Sequence, residues 1–276
     1  MQREARLIRP LARRFSEYDK LAQAASANTY RMERALADFQ RLLSGFSDTA
    51  DRRQMLDWCA EQQHRIHGLK EEFRFNFGAE LRSALAGQGF LLVGQFPTLR
   101  AGLYTLRLDF DAGSAGIYWG PEVETIRTRV PLASEAITRA VADFDRNLRS
   151  PEFHPEGLLA LVYQGYQREC LAQHIPDAGR VLLTAVLREV AFLVQTKRFG
   201  INPVRGNFRD YSRIQFGFDL FRLKQFECLR AKGRQMHMAV ATFDSTTDRA
   251  KALWVPDNEQ GEGTYYSYLS FAAEGA

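Results

Sequence analysis

The chain has 276 residues, of which 45% are apolar and 25% charged, and its twenty Phe and ten Tyr supply material for a core that needs no metal or disulfide staples. There is no run of eighteen apolar residues, and the opening Met-Gln-Arg-Glu-Ala-Arg lacks an apolar stretch. A membrane-spanning helix and a secretory signal are therefore not expected, and the cytoplasm is the expected compartment. Cys59, Cys170 and Cys228 form no Cys-x-x-Cys pair, which argues against a disulfide framework or zinc knuckle and for reduced, mostly buried thiols.

Residues 17 to 46 carry the clearest periodicity. Leu21, Ala25, Asn28, Met32, Ala35, Phe39, Leu42 and Phe46 alternate spacings of four and three, the a/d seam of a helix pair, and Gly45 ends the run. After Ser47-Asp48-Thr49, which offers an N-cap, the spacing resumes at Met55, Cys59, Gln62, Ile66, Leu69, Phe73, Asn76 and Glu80. Phe75, Phe77 and Leu81 stand close enough to take over where this seam turns polar. Each helix has one apolar stripe that it cannot bury alone, so the spacing predicts a coiled-coil-like antiparallel αα-hairpin over residues 17–86. At ~1.5 Å per residue, a second arm of about 37 residues reaches roughly 55 Å, and so either packs along the β region or projects. Asn28 and Gln62 within the seam point to a defined partner helix, since buried polar residues set register.

Between Gly89 and Gly120 the period changes to two, through Phe90-Leu91-Leu92-Val93, Leu103 to Phe110, and Ile117-Tyr118-Trp119. The pattern predicts a three-stranded antiparallel meander. In its middle strand Tyr104, Leu106, Leu108 and Phe110 face one way, and Thr105, Arg107, Asp109 and Asp111 the other. Helices are expected at 134–148 capped by Ser134, from Pro155, and from Asp177 to about Lys197 with Leu183, Val186, Leu187, Val190 and Val194 buried. From Tyr211 strands are expected, first in the alternation of Ile214, Phe216, Phe218 and Leu220, then over Met236–Phe243, Ala252–Val255 and Tyr265–Phe271, with 256–263 as a hairpin loop. Residues 221–231 read as either helix or strand. The sum is an α+β chain, with a helical hairpin over residues 1–88 and an α+β domain over 89–276 that combines antiparallel sheet segments and intervening helices.

The net charge of +4 is unevenly placed. Between residues 195 and 234 stand ten cations, Lys197, Arg198, Arg205, Arg209, Arg213, Arg222, Lys224, Arg230, Lys232 and Arg234, against Asp210, Asp219 and Glu227. Phe199, Phe208 and Tyr211 lie among them, beside a loop bounded by Gly200 and Gly206. Cations neutralise phosphates, aromatic rings stack on unpaired bases, and glycine lets a backbone amide approach a phosphate, so the combination suits a nucleic acid, with DNA the expected form. A solvated basic face is the competing reading. The first residues repeat the theme with Arg3, Arg6, Arg9, Arg13 and Arg14 around Leu7, Ile8, Leu11 and Phe15, facing only Glu4. That pattern fits the polar face of a first helix, with an anionic membrane surface or phosphate backbone as alternatives.

Asp109, Asp111, Glu122 and Glu124 form the only acidic cluster on the predicted sheet. Hard carboxylate ligands of this kind would hold Mg²⁺ for phosphodiester hydrolysis, but no lysine follows at the spacing such nucleases use. His64 and His67 share a helix face with Glu61 and Glu71, without the spacing of a zincin, so no metal is assigned there. Phosphate-binding, dinucleotide-binding and hydrolase-elbow signatures are absent. The expectation is a non-catalytic, cofactor-free subunit that binds nucleic acid through residues 197–234 and assembles through the hairpin with itself or a larger protein, as in bacterial DNA-handling or antiphage systems. A Mg²⁺-dependent nuclease and a ligand-free scaffold are the alternatives.

Overall fold

The computed structural model describes residues 2–149, 153–176 and 178–273. The chain opens with three helices, α1 (Gln2–Ala22), α2 (Ala25–Leu43) and α3 (Ala50–Ala86). The predicted hairpin is α2 with α3, whose length is the expected 37 residues. Its loop closes as the sequence implies, with the Thr49 hydroxyl accepting a hydrogen bond from the Arg52 amide.

The first arm differs from expectation. Residues 17 to 46 are not one helix, because the chain reverses at Gln23-Ala24 and α1 runs back along α2, bringing Leu7 against Gly45. Neither Gly nor Pro marks this break, so the a/d spacing runs through it. Burial decides it: a middle helix needs two apolar stripes, and α2 buries Met32, Ala35, Leu36, Phe39 and Leu43 while Leu42 and Phe46 stay half-exposed. Both polar seam residues find their partners in α1. The Asn28 amide donates to the carbonyls of Leu21 in α1 and of Ala24 in the turn that follows, and the Gln62 side-chain oxygen accepts from the Tyr18 hydroxyl at 3.0 Å.

Farther along α3 the buried stripe passes to Phe77, Leu81 and Leu85, whereas Phe75 is exposed. This end does not project bare. Tyr30, Phe73 and Phe77 gather their rings around Phe110 at centroid distances of 5.7, 6.3 and 6.1 Å, and Arg74 lies 5.3 Å over Phe110 while donating to the Tyr30 hydroxyl. Lys70 completes the seat by pairing with Glu33 at 2.5 Å.

The meander has five strands rather than three: β1 (Leu92–Gln95), β2 (Thr98–Ala101), β3 (Tyr104–Asp109), β4 (Ser114–Trp119) and β5 (Glu124–Pro131), in that order across the sheet. Strands β1 and β2 are four residues each around the cis Phe96-Pro97 bond, too short for a periodic signal, and β5 is polar along most of its length. In β3 the expected alternation holds, with Tyr104, Leu106, Leu108 and Phe110 buried and Arg107, Asp109 and Asp111 exposed; Thr105 is buried too, donating to the Gly120 carbonyl. The chain divides into two compact units, one of residues 1–91, 108–116 and 128–139, the other of 92–107, 117–127 and 140–276.

Helix α4 (Ser134–Leu148) and, in the second unit, α5 (Pro155–Gln173) begin where the sequence places them, with Pro155 in the first turn. His154 occupies the cap position of α5, but its side chain makes no capping hydrogen bond. Asp177, where the third helix was expected to start, lies outside the described residues. The chain then forms β6 (Val181–Leu182), α6 (Leu183–Leu193) and α7 (Lys197–Ile201), and Leu183, Val186, Leu187 and Val190 are the buried stripe. The second sheet adds β7 (Arg230–Ala231), β8 (Arg234–Val240), β9 (Leu253–Pro256) and β10 (Gly263–Ala273), in the order β6-β10-β8-β7, with β9 paired to the first residues of β10. A one-turn helix, α9 (Phe243–Thr246), ends the stretch in which a strand to Phe243 was expected.

One expected strand is a helix. Residues Arg213–Gln225 form α8, and Ile214, Phe216, Phe218 and Leu220 alternate only because this helix is buried nearly all round, together with Gly217, Phe221 and Leu223. A helix covered on every side has no polar face to mark its period, so apolar side chains at even positions imitate a strand. Gly217 fixes its seat, since a Cβ there would stand 2.7 Å from the Trp254 carbonyl oxygen. Gly→Ala at an exposed helical position stabilises by up to ~1 kcal/mol, but here the clash reverses the sign, and Gly217→Ala is expected to cost roughly 1–3 kcal/mol. A denaturant-unfolding midpoint at or above that of the wild type would contradict this seating.

Candidate nucleic-acid interface

The basic stretch begins with a loop whose ends are stitched together by one side chain. The Gln195 side-chain oxygen accepts from the Arg209 amide at 2.8 Å, and its Nε2 donates to the Arg209 carbonyl at 2.9 Å, so a primary amide pairs with a peptide group as a strand neighbour would. Inside the closed loop Thr196 caps α7, a 3-10 turn covers Arg205–Asn207, Asn207 donates to the Asn202 carbonyl, and the rings of Phe199 and Phe208 meet at 5.5 Å. This is a compact Ω-loop held by its own contacts.

Lys197, Arg198, Arg205 and Arg209 are all exposed on this loop, and among the described residues no carboxylate forms an ion pair with any of them. No acidic residue lies between Gln195 and Arg209. A Cβ added at Gly200 or Gly206 would meet nothing within 4 Å, so the backbone at both positions is open to an approaching ligand.

Most of the remaining cations of the stretch are engaged within the protein. Arg213 pairs with Glu124 at 2.6 Å and donates to the carbonyls of Arg249 and Ala252, while Arg249 closes on the other oxygen of Glu124. Arg222 lies 3.4 Å over the Phe153 ring and 5.7 Å over that of Phe218, and burial lowers its pKa. Lys224 pairs with Asp257 at 2.7 Å beside Tyr266. Lys232 is exposed, 5.8 Å over Tyr163, and Arg230 and Arg234 sit on β7 and β8. The structure thus brings four of the ten expected contacts onto one loop and distributes the other six along α8, the following turn and the second sheet.

The expected stacking residues separate in the same way. Phe208 reaches the surface beside Phe199, whereas Tyr211 turns inward and donates its hydroxyl to Asp219 at 2.8 Å. Asp219 is a buried carboxylate in the middle of α8, and sequence alternation placed it on a strand. Burial raises its pKa, and the hydrogen bonds from Tyr211 and Gln215 offset this only in part; burial, then the Asp219 charge, raises that of Tyr211. Tyr211 and Asp219 tie the end of the loop to α8.

Each carboxylate of the nuclease alternative has a polar or cationic neighbour within the protein. Asp109 accepts from the Ala112 amide, Asp111 stands 4.0 Å from Lys70, Glu122 pairs with Arg107 at 3.3 Å, and Glu124 is the clamp between Arg213 and Arg249. His64, His67, Glu61 and Glu71 are exposed on α3. Among the described residues no group of three or more His, Cys, Asp or Glu side chains is placed to hold a metal ion. In α1, Arg6, Arg9 and Arg13 are exposed, and Arg14 pairs with Glu17 and Asp38; the side chains of Arg3 and Glu4 lie outside the described residues.

The fold and this loop define an α+β protein that presents a pinned cationic Ω-loop. No family model matches the sequence, and the comparisons with curated proteins and with solved structures return no match. Among the described residues no helix is long and apolar enough to cross a membrane.

The buried acid sets a pH dependence. An acid whose folded pKa lies above its ordinary value of 3.8 adds stability below that value, and the contribution is lost as pH rises through the folded pKa. Unfolding free energy measured against pH is therefore expected to decline over that interval in the wild type, and Asp219→Asn is expected to flatten the decline. Parallel profiles for the two proteins would show that Asp219 ionises without cost.

Proposed function

We propose that this protein is a non-catalytic nucleic-acid-binding subunit that grips the phosphate backbone through the loop of residues 195–209. The observation that carries the reading is a set of four exposed cations, Lys197, Arg198, Arg205 and Arg209, that form no ion pair among the described residues, on a backbone already fixed by Gln195. Charges held on an ordered loop lose little conformational entropy when a polyanion docks, and released counterions drive the association. Gly200 and Gly206 leave the backbone accessible, and Phe208 offers a ring edge beside the charges. Three separate free thiols are consistent with a reducing cytoplasm. The helical unit is left to engage a larger assembly.

Fluorescence anisotropy with labelled duplex across a salt series tests the reading. About four phosphate contacts give a log–log slope of about −3.6, so affinity is expected to fall roughly 150-fold between about 50 and 200 mM salt; single strands have the shallower slope of about −2.8. Replacing all four loop cations by glutamine is expected to abolish binding, whereas Lys224→Gln, at a cation already paired with Asp257, is expected to leave the slope unchanged. Absence of binding at 50 mM salt, or an unchanged slope in the fourfold variant, would overturn the reading.

Ile201 and Val204, 86% and 48% exposed between the cations, favour a second reading in which the loop meets an anionic bilayer. Sedimentation with phosphatidylserine vesicles separates the two, because binding to vesicles and not to duplex would replace the nucleic acid by lipid.

A further inference from the structure

The second sheet turns one face to the core and the other to solvent, and its register decides which residues lie on each. Val181, Met236, Leu269 and Phe271 share the core face and are buried, with the Phe271 ring 4.8 and 5.2 Å from those of Tyr163 and Tyr166 on α5. The alternate residues, Tyr268, Ser270 and Ala272 on β10 and Gln235, His237 and Ala239 on β8, form the opposite face, and none of them is buried. Arg230 extends that face on β7, where it lies opposite Gln235 and is exposed. A solvated face is ordinary in an antiparallel sheet, so only its composition can point to a ligand.

That composition suits unpaired bases. Tyr268 is 41% exposed, and His237 is exposed on the neighbouring strand. Because Tyr268 pairs with Ala239 and Ser270 with His237, the phenol and the imidazole are diagonal neighbours with backbones ~7–8 Å apart. An extended single strand covers such a distance from one base to the next. Ala239, Ser270 and Ala272 beside them are small, which leaves a level floor on which a planar base can lie against either ring. Charge agrees with this occupant, since among the described residues no Asp or Glu lies on the face and Arg230 stands at its edge. A bilayer or a partner helix calls for several large apolar side chains, and here Leu182, opposite Tyr268, is the one aliphatic residue larger than alanine.

We propose that the solvent face of the second sheet binds the unpaired bases of a single-stranded nucleic acid, one stacked on Tyr268 and the next on His237, with the strand's phosphates towards Arg230. The inference rests on the nucleic-acid reading of the loop and assigns it a form of ligand. The loop of residues 195–209 meets phosphates of any nucleic acid, whereas the sheet adds affinity only where bases are unstacked. A duplex keeps its bases inside and gains nothing from this face.

The test uses the full chain with a labelled single-stranded DNA, the same sequence annealed to its complement, an abasic strand of equal length and a polyglutamate peptide. Anisotropy is expected to show the single strand binding about fivefold or more tighter than the abasic strand. Tyr268→Val removes the ring but keeps a strand-forming residue, and is expected to weaken single-strand binding about fivefold or more while duplex affinity and the salt slope stay as in wild type. Tyr268→Phe keeps the ring and is expected to bind as wild type does. A strand carrying 5-iodouracil is expected to photocrosslink at Tyr268 or His237. Duplex binding with equal affinity for single and abasic strands, unchanged single-strand affinity in Tyr268→Val, or crosslinks confined to residues 195–209 would overturn the proposal and leave the loop reading standing. Failure of every nucleic-acid probe would overturn both. Polyglutamate binding that Tyr268→Val weakens as much as single-strand binding would replace the bases by an acidic peptide.

Discussion

Trp254 is the constraint on which the second unit depends. Its indole is buried, meets Trp119 edge-on at 5.5 Å, and occupies space that two glycines leave empty: a Cβ at Gly120 or Gly263 would stand 3.0 or 2.5 Å from the ring, while one at Gly217 would strike the Trp254 carbonyl oxygen at 2.7 Å. Two segments distant in sequence close on the indole, and α8 closes on the backbone beside it, because none of the three carries a side chain there. Through Gly217 this contact seats α8, and Arg213 at its first turn is held by Glu124 and by the carbonyls of Arg249 and Ala252. From α8, Asp219 holds Tyr211, and with Gln195 these anchor the cationic loop.

The same arithmetic of burial sorts the positive charge. Cations carried into or against the core cannot remain unmatched, since a buried charge without a partner costs several kcal/mol. Arg213, Lys224 and Arg222 accordingly find a carboxylate or an aromatic face. On the Ω-loop no such pressure exists, and its four cations stay in solvent because nothing in the fold calls for their neutralisation. The helical unit has the equivalent imbalance in apolar form, a stripe on α1 that α2 does not cover.

Elements with one buried face were legible in the sequence. The α2–α3 hairpin, its Thr49 cap, the alternation in β3, Pro155 at the head of α5 and the hairpin over 256–263 all follow from local chemistry. Elements buried on several sides were not, because a period is visible only where polar and apolar faces alternate. Thus α8 imitates a strand, and α2, covered on two sides, merges in phase with α1 across Gln23-Ala24. The candidate site was legible as a charge excess along the chain but not as a surface, because pairing is decided by residues far away in sequence: Glu124 takes Arg213 and Asp257 takes Lys224. Gln195 gave no signal at all, since an amide that bonds a residue fourteen positions on is indistinguishable in sequence from any surface glutamine.

Hydrogen exchange of the full chain with and without duplex DNA at low salt addresses the central claim directly, because it locates the contact as well as detecting it. Added protection of backbone amides is expected within residues 195–211, strongest around Gly200 and Gly206, with α8 and the second sheet unchanged. Protection confined to residues 222–236, or an exchange pattern that duplex leaves unaltered while anisotropy reports binding, would contradict it.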